Sequence, residues 1–178
     1  NYNKSEEKAK ALSLELMKKY KVPVGAYKAD VKNRNEVAEM VTKIKDELGT
    51  IVILVNNAGI STQKEFSQIT NEEWKIMLST HLDGAFNCTQ EVLHDMIYRH
   101  YGKIINISSM WGVTGGSCEV HYSTAKAGII GFTKALAKEL GYAFYDKDII
   151  EQVAKETGLS EKYIEKRGEY SPTKNIFS

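Results

Sequence analysis

Residues 51–55 read Ile-Val-Ile-Leu-Val, an unbroken aliphatic run with no polar alternation. A strand with one wet face alternates apolar and polar side chains, so this run belongs to a parallel strand covered on both faces. Parallel strands need long crossover connections, usually helices, and the flanking sequence supplies them. A helix is expected over residues 4–20, with Ala9, Leu12, Leu16 and Met17 as its apolar face. Residues 22–28 (VPVGAYK) read as a short strand. Asn33 then opens a second helix, with Glu36 at the spacing of a capping box and Val37, Met40, Val41, Ile44 and Leu48 at helical intervals.

The pattern repeats downstream. Thr70 and Glu73 form another capping box, and Trp74, Met77, Leu78, His81 and Leu82 share one helical face. Helical spacing resumes from about residue 83 to residue 100. Residues 103–107 (KIINI) predict a third strand and residues 120–140 a long helix. A fourth strand is expected at 142–145, then a helix over 147–157 stopped by Gly158, a short helix after Ser160 and a frayed tail. Alternating strands and helices predict an α/β fold with right-handed crossovers. The four strands are expected to form one compact parallel sheet.

At 178 residues the chain can bury one real core. Its net charge is +1 with acids and bases interspersed, which argues against a nucleic-acid partner. There is no apolar run of membrane-spanning length, and the opening NYNKSEEK is not a signal peptide, so a cytoplasmic protein with no membrane partner is expected. Cys88 and Cys118 are too few for a metal cluster or a disulfide framework and read as reduced thiols. No metal site is expected.

Tyr122 and Lys126 are four apart on the long helix and therefore share a face. A tyrosine in water titrates near about 10, too high for acid–base work at neutral pH. A neighbouring ammonium favours the phenolate, and a shift of about three units takes roughly 4 kcal/mol of differential interaction. A Tyr–Lys pair alone is common. Ser109, thirteen residues before Tyr122 and just past a buried strand, strengthens it. Ligands of parallel sheets sit at the carboxyl ends of strands. There the Ser109 hydroxyl is placed to hydrogen-bond a carbonyl while Tyr122 donates a proton. VNNAGIS at 55–61 follows the IVILV strand; its Ala-Gly pair admits close approach of a ligand, and its asparagines can tie neighbouring strands together. By itself it reads equally well as a strand-to-loop turn.

In this order, KADVKN, ILVNNAGIS, GKIINISSMWG and YSTAKAGIIGFTKALAKEL resemble the short-chain dehydrogenase/reductases, particularly the 3-oxoacyl-acyl-carrier-protein reductase branch of fatty acid biosynthesis. The resemblance covers about residues 1–141. It implies a Rossmann-like sheet, with Ser109, Tyr122 and Lys126 catalytic and Lys126 also on the nicotinamide ribose. Asp30 and Val31 would meet the adenine, and Asn57, Ala58 and Gly59 would flank the cofactor. It further implies reduction of a ketone on a small-molecule or carrier-bound acyl substrate, and a homo-oligomer built through helices near 71–100 and 120–140. Asn1 stands where an acidic residue would select NAD, and Lys4 lies nearby for a 2′-phosphate, so NADP(H) is the expected cofactor.

Three departures accompany the resemblance. The family's opening strand, glycine-rich phosphate turn and helix are absent from this sequence, so the fold is expected to be partial, lacking the first βαβ elements, with no backbone cradle for the pyrophosphate. Their loss is expected to leave the IVILV strand with an unpaired edge. GVTGG at 112–116 reads as an active-site loop rather than a substitute phosphate turn. His81 stands where the family usually has Asn; a proton relay and a packed core histidine are both open to it. After LAKELG the chain resembles the cytidylate-kinase-like family over about residues 135–168, without any phosphate loop of that chemistry. The expected organisation is a partial reductase core at 1–141 and a kinase-like extension at 142–178. Two functional readings follow: an NADP(H)-dependent reductase, or a truncated, chimeric fragment that keeps the oligomerisation helices without binding cofactor. A nucleotide-binding kinase remnant is a third.

Overall fold

The computed structural model describes residues 1–143. The chain divides into two compact units, Asn1–Ile130 and Gly131–Ser178. In the first, the elements run α1 (Glu6–Tyr20), α2 (Arg34–Leu48), β1 (Ile53–Asn56), α3 (Asn71–Leu78), α4 (Gly84–Tyr98), β2 (Lys103–Asn106), α5 (Trp111–Thr114) and the start of α6 (Val120–Ala143). Of the second, only the remainder of α6 is described.

β1 and β2 pair in parallel, Ile53 opposite Lys103 and Asn56 opposite Asn106. Helices α2 and α4 pack on one another, and α4 on β1, around a core of Ala29, Val37, Met40, Val41, Val92 and Met96. Leu54 and Ile104 reach this layer from the sheet. Each of these valine, leucine, isoleucine and methionine side chains, once buried, contributes on the order of 1.5–3 kcal/mol. The opposite face carries Ile53, Val55 and Ile105, about half exposed. The expected two-sided burial of residues 51–55 is therefore met on one face only among the described residues. Among the described residues the run also pairs on one edge only, in a two-stranded sheet. Its regular part starts two residues later than expected, at Ile53.

Residues 22–28 do not form a regular strand. Only a parallel bridge between Tyr2 and Lys28 is present, held by Tyr2 N–H to Tyr27 O (2.9 Å) and Ala29 N–H to Tyr2 O (3.0 Å). Pro23 lacks a donor, and the Tyr27 ring folds over Gly25 where a Cβ would stand, so a continuous ladder cannot run through the segment. The described part of the sheet thus has two regular strands and a bridge, in place of four strands. Tyr142 and Ala143, expected to open a strand, continue α6; Phe144, Tyr145 and the elements expected after them lie outside the described residues.

Capping follows the sequence closely. Thr70 accepts from Glu73 N–H while the Glu73 carboxylate accepts from Thr70 N–H, a complete capping box. Hydrogen bonds from the Lys64 ammonium and from Thr70 hold the Glu73 carboxyl down to about 2. Asn33 caps α2 by accepting from Asn35 N–H and Glu36 N–H. Glu36, however, reaches past the cap to accept from Asp30 N–H at 2.9 Å, fastening the preceding turn instead. Asn33→Ala should lower the unfolding free energy by about 1 kcal/mol, read from urea denaturation.

α1 differs more. It contains no buried residue; Leu12 and Met17 of its expected inner face are exposed, and it is tethered by Ser13 Oγ donating to Val24 O at 2.8 Å. Between α3 and α4 the chain makes one π-helical turn, Ser79–Asp83, in which His81 is the buried residue. This turn breaks the single helical face expected from Trp74 to Leu82. Gly84 follows it because a Cβ there would lie 2.7 Å from Val31 Cγ2; glycine lets α4 close onto the segment that carries Ala29 and Val31. Among the described residues no helix is long and apolar enough to cross a membrane.

Candidate active site

The site lies beyond the carboxyl ends of β1 and β2, where the strands release their loops. Asn56, the last residue of β1, donates to Asn106 Oδ1 at 2.8 Å and to Thr89 Oγ1 at 3.2 Å. This is the strand-tying role expected of the asparagine pair, and Asn56 performs it. Asn57 instead faces a cavity of about 480 Å3 that Ala58, His81 and Lys126 also line.

Lys126 is 5% exposed and donates from Nζ to Ile107 O at 2.8 Å. Burial pushes its ammonium below the usual lysine value. Ser108 Oγ donates to Lys126 O at 2.8 Å, fastening α6 to the loop after β2. Ser108 was not singled out by sequence reasoning; its place in the Ser-Ser pair after β2 was the only signal. One helical turn back, the Tyr122 ring centre lies 5.6 Å from Lys126 Nζ. Tyr122 also meets His81 in an edge-to-face contact, centres 5.6 Å apart at 78°.

Ser109 sits at the entrance to α5, its hydroxyl accepting from Trp111 N–H at 3.3 Å. That bond leaves the hydroxyl proton to donate. It is the backbone of Trp111 that positions Ser109, rather than the Tyr–Lys pair. GVTGG is part helix, since α5 takes in residues 112–114, and only Gly115 has the left-handed backbone (φ 76°) of a turn.

Asp30, Val31, Ala58 and Gly59 line a second cavity of about 720 Å3, together with Lys4 and Lys8. Burial acts to raise the Asp30 carboxyl, but hydrogen bonds from the Lys32 side chain and backbone outweigh it and hold the group below its usual value. Val31, Ala58 and Thr80 line both cavities. Asn87, buried on α4 and not anticipated from the sequence, donates to Val31 O at 2.9 Å and fixes this corner. All the expected cofactor contacts except Tyr122 thus border these two cavities. The first cavity offers a buried ammonium and an asparagine, and the second a carboxylate amid lysines. Among the described residues no cluster of His, Cys, Asp and Glu suits a metal ion. Cys88 is buried, which raises its thiol, and Cys118 is exposed.

A parallel sheet flanked by helices, with a tyrosine and a buried lysine one turn apart beyond its strands, is a partial Rossmann fold. Residues 2–144 match the short chain dehydrogenase family, and the chain belongs to it. Residues 126–178 match the cytidylate kinase-like family. The two matches overlap over 126–144, along α6 and just past its last described residue.

Among curated proteins the chain is similar to nodulation protein G of Azospirillum brasilense, 49% identical over 111 residues, 62% of this chain and 45% of that protein. It is also similar to 3-oxoacyl-acyl-carrier-protein reductase of Aquifex aeolicus, 42% identical over 136 residues (76% and 55%). Acetoacetyl-CoA reductase of Shinella zoogloeoides is 43% identical over 116 residues (65% and 48%). The chain therefore spans about half the length of the curated relatives it matches. A solved gluconate 5-dehydrogenase of Burkholderia cenocepacia, in complex with NADP and tartrate, superposes with a TM-score of 0.70 at 30% identity, covering 76% of this chain and 52% of that one.

Proposed function

We propose that the site serves NADP(H)-dependent reduction of a 3-oxoacyl thioester ketone to a hydroxyl. The observation that carries this reading is Lys126: a buried ammonium in the cavity lined by Asn57 and Ala58, one turn from Tyr122. Burying a cation is costly unless something uses it, and Ile107 O satisfies one of its three donors. The other two are suited to ribose hydroxyls. Bound NADPH supplies a hydride. Tyr122 donates its hydroxyl proton to the carbonyl oxygen, and Ser109 orients that oxygen through its own free proton. Asn57, Ala58 and Gly59 flank the cofactor, and Asp30 and Val31 receive the adenine. Lys4 and Lys8, bordering the same cavity, favour a 2′-phosphate over a bare ribose. The relatives named as 3-oxoacyl and acetoacetyl-CoA reductases support the substrate class.

A second reading is a non-catalytic module that associates through α3, α4 and α6. Ile76 on α3 and Phe86 and Tyr98 on α4, all exposed, favour it, because large apolar side chains grouped on exposed surface mark association sites. Titration with NADPH, followed by its fluorescence, separates the two. Saturable binding supports the reductase. Absence of binding, with dimers or larger species in sedimentation, overturns it in favour of the module.

A further inference from the structure

His81 is 4% exposed and is turned inward by the π-helical turn, a local widening of the helix that recurs at functional sites. Its Nε2 lies 2.8 Å from Ile60 O and 3.3 Å from Ile60 N. One ring nitrogen donates or accepts but never does both. The shorter contact selects the tautomer with the proton on Nε2, donating to Ile60 O. The Cε1 edge of the ring sits against Gly59, where a Cβ would stand 2.3 Å from Cε1 and 2.9 Å from Nδ1. Its edge-to-face partner is Tyr122. His81 therefore touches both the loop after β1 and the tyrosine of α6, segments more than sixty residues apart in sequence.

We propose that His81 is a positioning residue: in its neutral form with the proton on Nε2, it clamps the turn at Gly59 and Ile60 and seats the Tyr122 ring beside the cavity. What Tyr122 then does rests on the reductase reading; how it is held does not. The groups facing the ring are Tyr122 and Lys126 on α6 and the backbone N–H and C=O of Ile60; Asp83 of its own turn is exposed. Burial keeps the imidazole below its ordinary value, Lys126 pushes the same way, and the Ile60 carbonyl opposes them in part. The sign for stability follows. The imidazole is neutral in both states above about 6.5, so its contribution is complete there. As pH falls through that value the unfolded chain takes up the proton first and stability drops, levelling out below the folded value.

The experiment uses the full chain with His81→Asn, His81→Leu and Gly59→Ala. Ring 15N shifts, assigned by loss of a signal in His81→Asn, should report a neutral His81 protonated on Nε2 at pH 7. The stability lost between pH 7 and 5 should shrink in both His81 variants. An asparagine amide can still hydrogen-bond Ile60, and a leucine only fills space. Tyr122 ring resonances, assigned with Tyr122→Phe, should lose the imidazole ring-current shift in both His81 variants, and His81→Leu should add a displacement of the Gly59 and Ile60 amide resonances that His81→Asn does not and Gly59→Ala does. Where NADPH-dependent turnover is measurable, His81→Leu should lower kcat about tenfold with KM little changed, and His81→Asn should recover it. A charged ring or an Nδ1–H tautomer at pH 7 overturns the clamp, as does a leucine variant equal to asparagine. The expected tautomer and Tyr122 shifts without turnover in any variant would leave the clamp standing and remove the reductase reading.

Discussion

Tyr122→Phe should lower kcat for NADPH-dependent reduction of a 3-oxoacyl thioester by about 10²–10⁴-fold, the range general acid catalysis supplies, while NADPH affinity and the unfolding midpoint stay near wild type. The variant keeps the ring. Its edge-to-face contact with His81 and the approach of Lys126 Nζ to its centre are both contacts of the ring rather than of the hydroxyl. What disappears is one O–H. An interaction made only in the transition state lowers kcat and kcat/KM together, so that parallel fall is the signature to look for. Lys126→Met should behave differently. It removes the donor to Ile107 O and the cation of the cavity, so NADPH binding should weaken along with turnover. A phenylalanine variant that retains most of its turnover would exclude Tyr122 as the proton donor.

Val92→Asp should leave little folded protein. Val92 is 1% exposed and sits in the core that α2 and α4 build with Val37, Met40 and Val41. A carboxylate there has no partner, and the effective penalty for an unpaired buried ion is several kcal/mol. A domain is stable by only about 5–15 kcal/mol, so the loss is comparable with the whole. Val92→Thr is the graded control: near-isosteric, it buries one hydroxyl and should cost about 1–3 kcal/mol. Urea unfolding followed by the fluorescence of Trp74 and Trp111 measures both. An aspartate variant with a wild-type midpoint would mean that this layer is not the core.

The helices and their starts were legible because they depend on neighbours in sequence. Thr70 and Glu73 meet three residues apart, Asn33 caps two amides within its own turn, and Tyr122 and Lys126 share a face by helical geometry alone. The strand at 22–28 was misread for an equally local reason that carried too little weight: Pro23 and Gly25 break a ladder however apolar their neighbours are. Other misreadings came from farther away. Leu12 and Met17 satisfy the spacing of an inner face, yet α1 buries nothing among the described residues. Periodicity shows which side chains share a face and not whether anything packs against it.

The motifs named the family and the candidate residues, Ser109, Tyr122 and Lys126 among them, because each rests on residue type and short spacing. Tertiary structure decided what surrounds them. Lys126 is buried and bonded to Ile107, nineteen residues away; Asn87 holds Val31 from fifty-six residues away, and His81 reaches Ile60 across twenty-one. Such contacts require distant segments to be brought together, and one π-helical turn was enough to aim His81 at them. The sequence alone determined the chemistry carried by the side chains. Packing determined which of those side chains lost water and faced one another, because desolvation and contact depend on neighbours that chain spacing does not specify.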